Sequence, residues 1–379
     1  MTSLSARLIT DIEELAGLSE PWRELAHACS CPAALPGWQL AWWRHLAPEG
    51  AALRAVAVFG DDDRLVGLAP FFVNPGRRVD YRLLGAGITR RMRPLARPDF
   101  EIVVARETAG ELARATPAPD LVAFEGVDST PSWSQLFSGV WSGHFKPWRY
   151  VSSTHPGPAI DATDGDYEAW LSSRSHNLRR QLRVAQRRAD EIGARITPVA
   201  SKQACERALL DFRRLHLARW EHRGGSAFEE NAFEMIGEAA RVLVPANEMR
   251  IFTLETAQDT LAVLLALVAG RYVLLFSYGF DEAYAQISPI HLTTLAVVED
   301  AFKRRDRRID FGGGSERHKQ RFANSDTPVS WEGLVIRSRR YLLTRMRLAP
   351  DQAHWLVARI GRRLSPAWRW RIKRLVRGS

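Results

Sequence analysis

Apolar residues recur at helical spacing over residues 19–29, and a Trp-rich segment follows at 36–46. Residues 53–73 switch to strand, turn and strand, with Gly60, Asp61, Asp62 and Asp63 at the turn. Gly85-Ala86-Gly87 and the Arg/Pro run at 90–98 predict loops, and shorter strands are expected at 101–105, 121–124 and 148–152. Residues 155–158 read as a linker. Beyond it the pattern predicts helices at 166–172, 175–192, 202–220 and 231–243, then three consecutive strands over 249–280. The last unit, 271–322, is an aromatic strand, a polar loop, an amphipathic helix opened by Pro289, and a strand that ends in three glycines and a basic segment. Such a unit sets backbone N–H groups at a helix N-terminus beside a strand end, a geometry that suits an anion.

The strand–turn–strand spacing repeats. Leu53-Arg54 and Arg64-Leu65-Val66 return as Met249-Arg250 and Thr260-Leu261-Ala262, at the same offset in both strands. Each copy follows a helical stretch, so two related α/β domains in tandem are expected, 1–155 and 156–336, with 337–379 as a basic tail. A chain of 379 residues is long for one domain, in keeping with that division.

The net charge of +10 alters this picture only at the end of the chain. Residues 337–379 carry 13 Lys and Arg against one Asp, whereas the remainder holds 40 basic and 42 acidic side chains. A body so near neutrality argues against a binder of double-stranded nucleic acid. Cys29, Cys31 and Cys205 are too few and too poorly spaced for a disulfide framework or a closed metal site, so no metal is expected. The N-terminus lacks the apolar core of a signal peptide, and the longest apolar run, 261–269, is far short of a membrane span. A cytoplasmic protein is the expectation.

Candidate chemistry gathers in the second half. Tyr278-Gly279-Phe280-Asp281 leave a strand, and Tyr284, Ser288 and Pro289 lead into a helix. Ser288 is placed to cap that helix, and the N–H groups near Ile290 and His291 to meet a phosphate. Upstream, His216, Arg219 and Trp220 share one helix face. Arg179, Arg183 and Arg187 form a basic ridge at four-residue spacing, flanked by Arg180 and Arg188. By themselves these features read equally as a capped helix on a sheet and a solvated charged face.

Taken as a set, Tyr278, Gly279, Phe280, Asp281, Tyr284, Ser288, Pro289, Asp310, Phe311, Gly314, Lys319 and Phe322 resemble the pattern of the CelD/BcsL-like acetyltransferases. These are GNAT-superfamily proteins related to the FemAB aminoacyl transferases. The stretches at 175–182 and 215–220, the Trp-rich start and Val66-Gly67-Leu68-Ala69-Pro70 look like the family too, so the likeness covers roughly residues 19–334. Two departures stand out. The usual glycine-bearing phosphate loop is replaced by Gln286-Ile287-Ser288-Pro289-Ile290-His291, and Ile290 stands where the family often has Gly. The resemblance implies an α/β (α+β) fold of tandem GNAT-like domains, with mixed, mainly antiparallel sheets flanked by helices. It also implies N-acetylation, from acetyl-CoA, of an amino sugar in an exopolysaccharide or holdfast-type adhesin precursor.

In that reaction an amine attacks a thioester carbonyl, so a base must take the amine proton and donors must hold the oxyanion. His216 is the first candidate base, with Asp310 and Lys319 completing the catalytic set and His291 and His318 as further candidates. Tyr278, Tyr284, Ser288, Pro289, Ile290 and His291 are the candidates for binding acetyl-CoA. Arg179, Arg183, Arg219, Trp220 and Gly314 are those for a glycan or lipid-linked sugar. Glycines at 312–314 would let a ligand approach the backbone.

The tail poses a separate question. Trp355, Leu356, Ile360, Leu364 and Trp368 form an apolar stripe among Arg359, Arg362, Arg363, Arg369 and Arg371, with Pro366 dividing two short helices. This pattern predicts peripheral attachment to the anionic inner face of a membrane. Its Arg donors and Trp surfaces equally suit a guanine dinucleotide second messenger. The alternatives to N-acetylation are FemAB-like aminoacyl transfer from tRNA and a catalytically inactive nucleotide sensor or scaffold.

Overall fold

The computed structural model describes residues 4–363 except 75, 129–131, 142–145, 164, 222–224, 227 and 315, and at 360–363 the backbone alone. Two sheets carry the fold. The chain first lays down β1 (Ser5–Ile9), β2 (Ala52–Phe59), β3 (Leu65–Asn74), β4 (Asp80–Leu83), β5 (Leu95–Ala96), β6 (Leu121–Asp128) and β7 (Trp148–His155). It then moves to the second sheet for β8 (Pro158–Asp161), β9 (Arg195–Pro198), β10 (Met249–Glu255), β11 (Thr260–Ala269), β12 (Tyr272–Phe280), β13 (Arg308–Asp310) and β14 (Ser325–Asp326). Finally β15 (Val329–Val335) returns to the first sheet.

The strand orders are β1-β2-β3-β4-β6-β15-β7, with β5 beside β3, and β9-β10-β11-β12-β13-β8-β14. They correspond position by position. Each sheet has a parallel pair at the same place, β4 with β6 and β12 with β13, in an otherwise antiparallel ladder. The hairpins expected to repeat are β2–β3 and β10–β11, and each carries a register shift at the equivalent point, Val58/Phe59 and Leu254/Glu255. The mixed, mainly antiparallel sheets follow the expected fold class.

The halves exchange their closing strands. β8 occupies in the second sheet the position that β15 occupies in the first. The residues read as a linker at 155–158 are therefore the end of β7, a two-residue step and the start of β8, and the last strand of the segment 156–336 lies in the first sheet. The two crossing segments meet at Gly157 and Thr327, where Thr327 N–H donates to the Gly157 carbonyl at 2.9 Å. A Cβ on Gly157 would overlap the Thr327 carbonyl, so only glycine fits the crossing. On β15, buried Glu332 pairs with Arg149 at 2.9 Å and accepts from Ser132 Oγ at 2.6 Å, which compensates its burial.

The helices are α1 (Ile12–Ala16), α2 (Ser19–Ala28), α3 (Pro36–Leu46), α4 (Glu101–Arg114), α5 (Trp133–Val140), α6 (Tyr167–Ser172), α7 (His176–Glu191), α8 (Lys202–Glu221), α9 (Glu230–Leu243), α10 (Pro289–Lys303), α11 (Arg317–Phe322) and α12 (Tyr341–Arg363). The strand expected at 101–105 is instead the first turn of α4. Its Ile-Val-Val run mimics a strand, but Val104, Ala105, Thr108, Ala109 and Leu112 are buried at helical spacing. The loop at 90–98 contains the short strand β5, whose Leu95 and Ala96 pair with Leu68 and Gly67.

β11 is apolar throughout because both faces are covered. Val263, Leu265 and Leu267 join a core shared with the first half, under α8, α9 and the Trp-rich α3. Leu264, Ala266 and Val268 join the opposite core, under α6, α7 and α10. Across the shared core, Trp38 of α3 meets Phe276 of β12 edge-on at 4.7 Å, which couples the first half to that strand.

α12 lies against β7, the edge strand of the first sheet. Gln352 Oε1 accepts from Val151 N–H at 2.5 Å, and Trp355 Nε1 donates to Thr154 Oγ1 at 2.9 Å. The tail stripe expected to face a membrane through Trp355 is thus turned toward the protein at that residue. Arg359 lies over the Trp355 ring. Leu364, Pro366, Trp368, Arg369 and Arg371 fall outside the described residues, as do the side chains of Ile360, Arg362 and Arg363.

Candidate active site

The site grows from an irregularity in β12. Leu265 lies opposite Ser277 and Ala266 opposite Leu275, so Phe276 is an extra residue, a β-bulge. Upstream of it the odd residues Val273 and Leu275 face the α10 core; downstream, Tyr278 does. The bulge therefore re-aims the aromatic end of the strand. β13 pairs with β12 only over Tyr272–Leu274. From Leu275 to Tyr278 the strands part, and a narrow cleft of about 50 Å³ opens between them, lined by Leu275, Ser277, Tyr278, Ile290, Phe311 and Lys319.

Cationic and imidazole groups collect on the α10 side of this cleft. Tyr278 and His318 meet edge-on at 6.4 Å between ring centroids, and His291 lies 6.3 Å from His318. Burial, reinforced by Lys319 and His291, pushes the His318 pKa down to about 4, and burial with Arg321 lowers that of His291. Burial also lowers the Lys319 pKa against the opposing pull of Glu316, whose carboxylate lies 3.2 Å from Nζ. The Arg219 guanidinium sits over Tyr278 at 5.0 Å and over Phe280 at 4.9 Å. Arg321 reaches Gln181 of α7 at 2.6 Å, and Arg188 of α7 donates to the Gln286 carbonyl at 2.9 Å. These bonds seat the basic helix beside the loop ahead of α10. On α7, Arg179 is half-buried and its Nε has no partner among the described residues, while Arg183 is exposed and Arg187 pairs with Glu191.

His216 lies on the other side of the sheet. It stacks on Phe228 at 4.8 Å, between Phe212 and Phe233, and its Nε2 meets Ser226 Oγ at 3.0 Å. Burial lowers its pKa, against an opposing bond from the Tyr278 backbone. Helix α8 approaches β12 closely here: a Cβ on Gly279 would stand 2.9 Å from His216 N and 3.1 Å from the Phe212 carbonyl. Half-buried Trp220 leans on His216. The structure thus brings His216 and Lys319 to opposite faces of one strand, at the point where that strand loses its neighbour.

Asp310, expected to carry or orient a proton, is fully buried with its oxygens committed. It accepts from Tyr272 Oη at 2.9 Å, Arg308 at 3.0 Å and Gly312 N–H at 2.8 Å, and pairs with Arg91 of the first half at 3.0 Å. Burial first, then Asp310, raises the Tyr272 pKa well above its usual value, so the phenol stays a donor. Gly314, expected to contact substrate, is a turn residue at φ +137° whose N–H donates to the Pro156 carbonyl. Gly312 is left-handed as well.

Ser288 makes no side-chain cap. It adopts φ +52°, ψ +59°, and its carbonyl accepts from His291 N–H at 2.9 Å and from Leu292 N–H at 3.2 Å. The expected donor cluster at Ile290 and His291 is smaller for that reason, since the His291 N–H is already bonded. Pro289 still opens the helix, and Tyr284 packs half-buried against the core beneath the loop. The fit to an anionic donor such as coenzyme A therefore rests on the side chains around α10 as much as on its backbone. Among the described residues no group of three His, Cys, Asp or Glu side chains is placed to hold a metal. A larger cavity, about 820 Å³, lies between α8 and α9 over Leu209, Phe212 and Phe233, with Arg213 paired to Glu230 on its rim.

The chain is similar to known proteins in sequence over one segment and in overall fold. Residues 176–320 match the family model of the acetyltransferase (GNAT) domain. In fold, the chain is similar to the crystal structure of FemX, at 12% identity and a TM-score of 0.61, with 88% of this chain and 97% of that one covered. It is also similar to the C-terminal domain of a putative lysylphosphatidylglycerol synthetase from Agrobacterium fabrum, at 10% identity and 0.54, with 88% and 96% covered. A third counterpart is L-PGS from Bacillus licheniformis, at 11% and 0.52, with 87% and 94% covered. No curated protein matches the chain in sequence.

Proposed function

We propose that the protein transfers an acyl group, acetyl in the simplest case, from a coenzyme A thioester to an amine across the cleft where β12 parts from β13. The observation that carries this reading is the Phe276 bulge at the point where pairing with β13 ends, which leaves the edge of the strand unpaired beside the cleft. The donor enters from the α10 side, where Arg179, Arg188, Arg219 and Lys319 suit its phosphates. The acceptor approaches from the α8 side, where His216 waits. The amine nitrogen attacks the thioester carbon, His216 takes the amine proton as its Nε2 exchanges Ser226 Oγ for the acceptor, and the backbone at the bulge faces the developing oxyanion. The carbon–sulfur bond then breaks, and the leaving thiolate takes a proton from the Lys319 ammonium. His216 is suited to this task because burial keeps its imidazole neutral at neutral pH.

An amino sugar of an exopolysaccharide or adhesin precursor, carried on a phosphate or lipid, is the acceptor class this reading favours, in the cytoplasm where coenzyme A thioesters are made. Incubation with acetyl-CoA and a panel of amino-sugar acceptors tests it by release of free thiol. His216→Ala is expected to lower turnover about a hundredfold or more. Absence of thiol release together with absence of a coenzyme A thermal shift overturns the reading, and transfer from charged tRNA instead assigns aminoacyl chemistry.

A further inference from the structure

The inward and outward faces of α12 differ in a way that points to a partner. Facing β7 are Tyr341, Thr344, Leu348, Gln352 and Trp355, all at least half-buried. On the solvent side stands a separate apolar stripe at spacings of four and three: Leu342, Met346, Ala349, Ala353 and Leu356, with Val357 beside it. Leu342 is 71% exposed, Met346 72% and Val357 58%, so no other described residue covers this stripe. An amphipathic helix normally buries one such stripe. This one instead packs its mixed polar and aromatic face on β7 and leaves the more apolar stripe outward.

Charge selects the occupant. Arg345 and Arg359 flank the stripe on one side, each held over an aromatic ring of the docked face, Tyr341 and Trp355. Exposed Arg347 flanks it on the other. Residues 337–379 carry 13 basic side chains against one acidic, while the rest of the chain is nearly neutral. A second copy of the same helix would set Arg against Arg. An anionic lipid surface accepts apolar residues at its acyl boundary and Arg at its headgroups. Among the described residues no helix is long and apolar enough to cross a membrane, so the contact is one that lies on the surface.

We propose that the outward face of α12, centred on Leu342, Met346 and Leu356, is a docking surface for an anionic bilayer, with the inward face clamping the helix to the first sheet. The proposal stands apart from the acyl-transfer reading. Co-sedimentation of the full chain with vesicles of phosphatidylglycerol mixed with phosphatidylcholine, against phosphatidylcholine alone, tests it. Binding is expected only to the anionic vesicles and is expected to fall with salt. L342E with M346E is expected to weaken it at least about tenfold, because two exposed apolar side chains no longer insert. Thermal melting of that variant should stay close to the wild type, since both side chains are more than two-thirds exposed. Trp355→Phe, on the clamped face, should leave vesicle binding unchanged. Equal binding by the double variant, or binding indifferent to lipid charge, overturns the proposal. So does a dimer in light scattering that the double variant dissociates while vesicles are ignored, a result that gives the face to a second copy.

Discussion

Replacing Asp310 separates a carboxylate that holds the fold from one that moves protons. In Asp310→Ala, Arg91 and Arg308 lose their shared partner, and the Tyr272 hydroxyl and Gly312 N–H lose their acceptor. Arg91 keeps only Asp128 as a carboxylate partner and is 2% exposed, so water cannot replace what is lost. Breaking one side of a buried ion pair costs about 3–5 kcal/mol. The stranded hydroxyl and amide add to this, but they share the same acceptor and do not sum in full. A loss of about 4 kcal/mol is expected, a large part of the roughly 5–15 kcal/mol that keeps a domain folded. It should appear as a fall of about 10 °C in melting temperature. Asp310→Asn, which keeps the shape and loses the charge, should fall between this variant and the wild type. Urea unfolding followed by circular dichroism, with thioester turnover measured well below the transition, is the assay. A variant that unfolds at the wild-type midpoint while its turnover drops a hundredfold would refute the reasoning and return Asp310 to the chemistry.

Gly157→Ala should destabilise the protein by about 3 kcal/mol in a thermal melt, because its methyl has nowhere to go at the crossing with Thr327. Gly279→Ala should cost about 1–3 kcal/mol by forcing α8 off β12, whereas Gly237→Ala, in α9 with nothing within 4 Å of the new methyl, should stabilise by about 0.5–1 kcal/mol. The same melts rank the two. His318 is neutral in the folded protein down to about pH 4 but takes a proton near 6.5 when unfolded. The unfolded state therefore binds more protons between those values, and stability should fall as pH drops from about 6.5 toward about 4. His318→Gln should flatten that part of a stability profile; an unchanged slope would place the titration elsewhere.

Local pattern alone was enough for the paired hairpins, the run of helices from α6 to α9 and the proline-opened α10, since each is written in a periodicity or a turn within a few residues. The basic ridge and the aromatic end of β12 were legible on the same terms. Tertiary structure decided the rest. Phe276 became a bulge only through its register against Leu265 and Ala266, which lie a strand away, and that shift set which face Tyr278 meets. Asp310 reads as a strand-end acid until Arg91, over two hundred residues earlier, arrives to bury it. The exchange of β8 and β15 leaves no mark on local periodicity, because a strand looks the same whichever sheet receives it. In α12 the sequence holds an apolar stripe beside a mixed polar and aromatic face; which of them is covered depends on where β7 lies, and only the packed molecule contains that information.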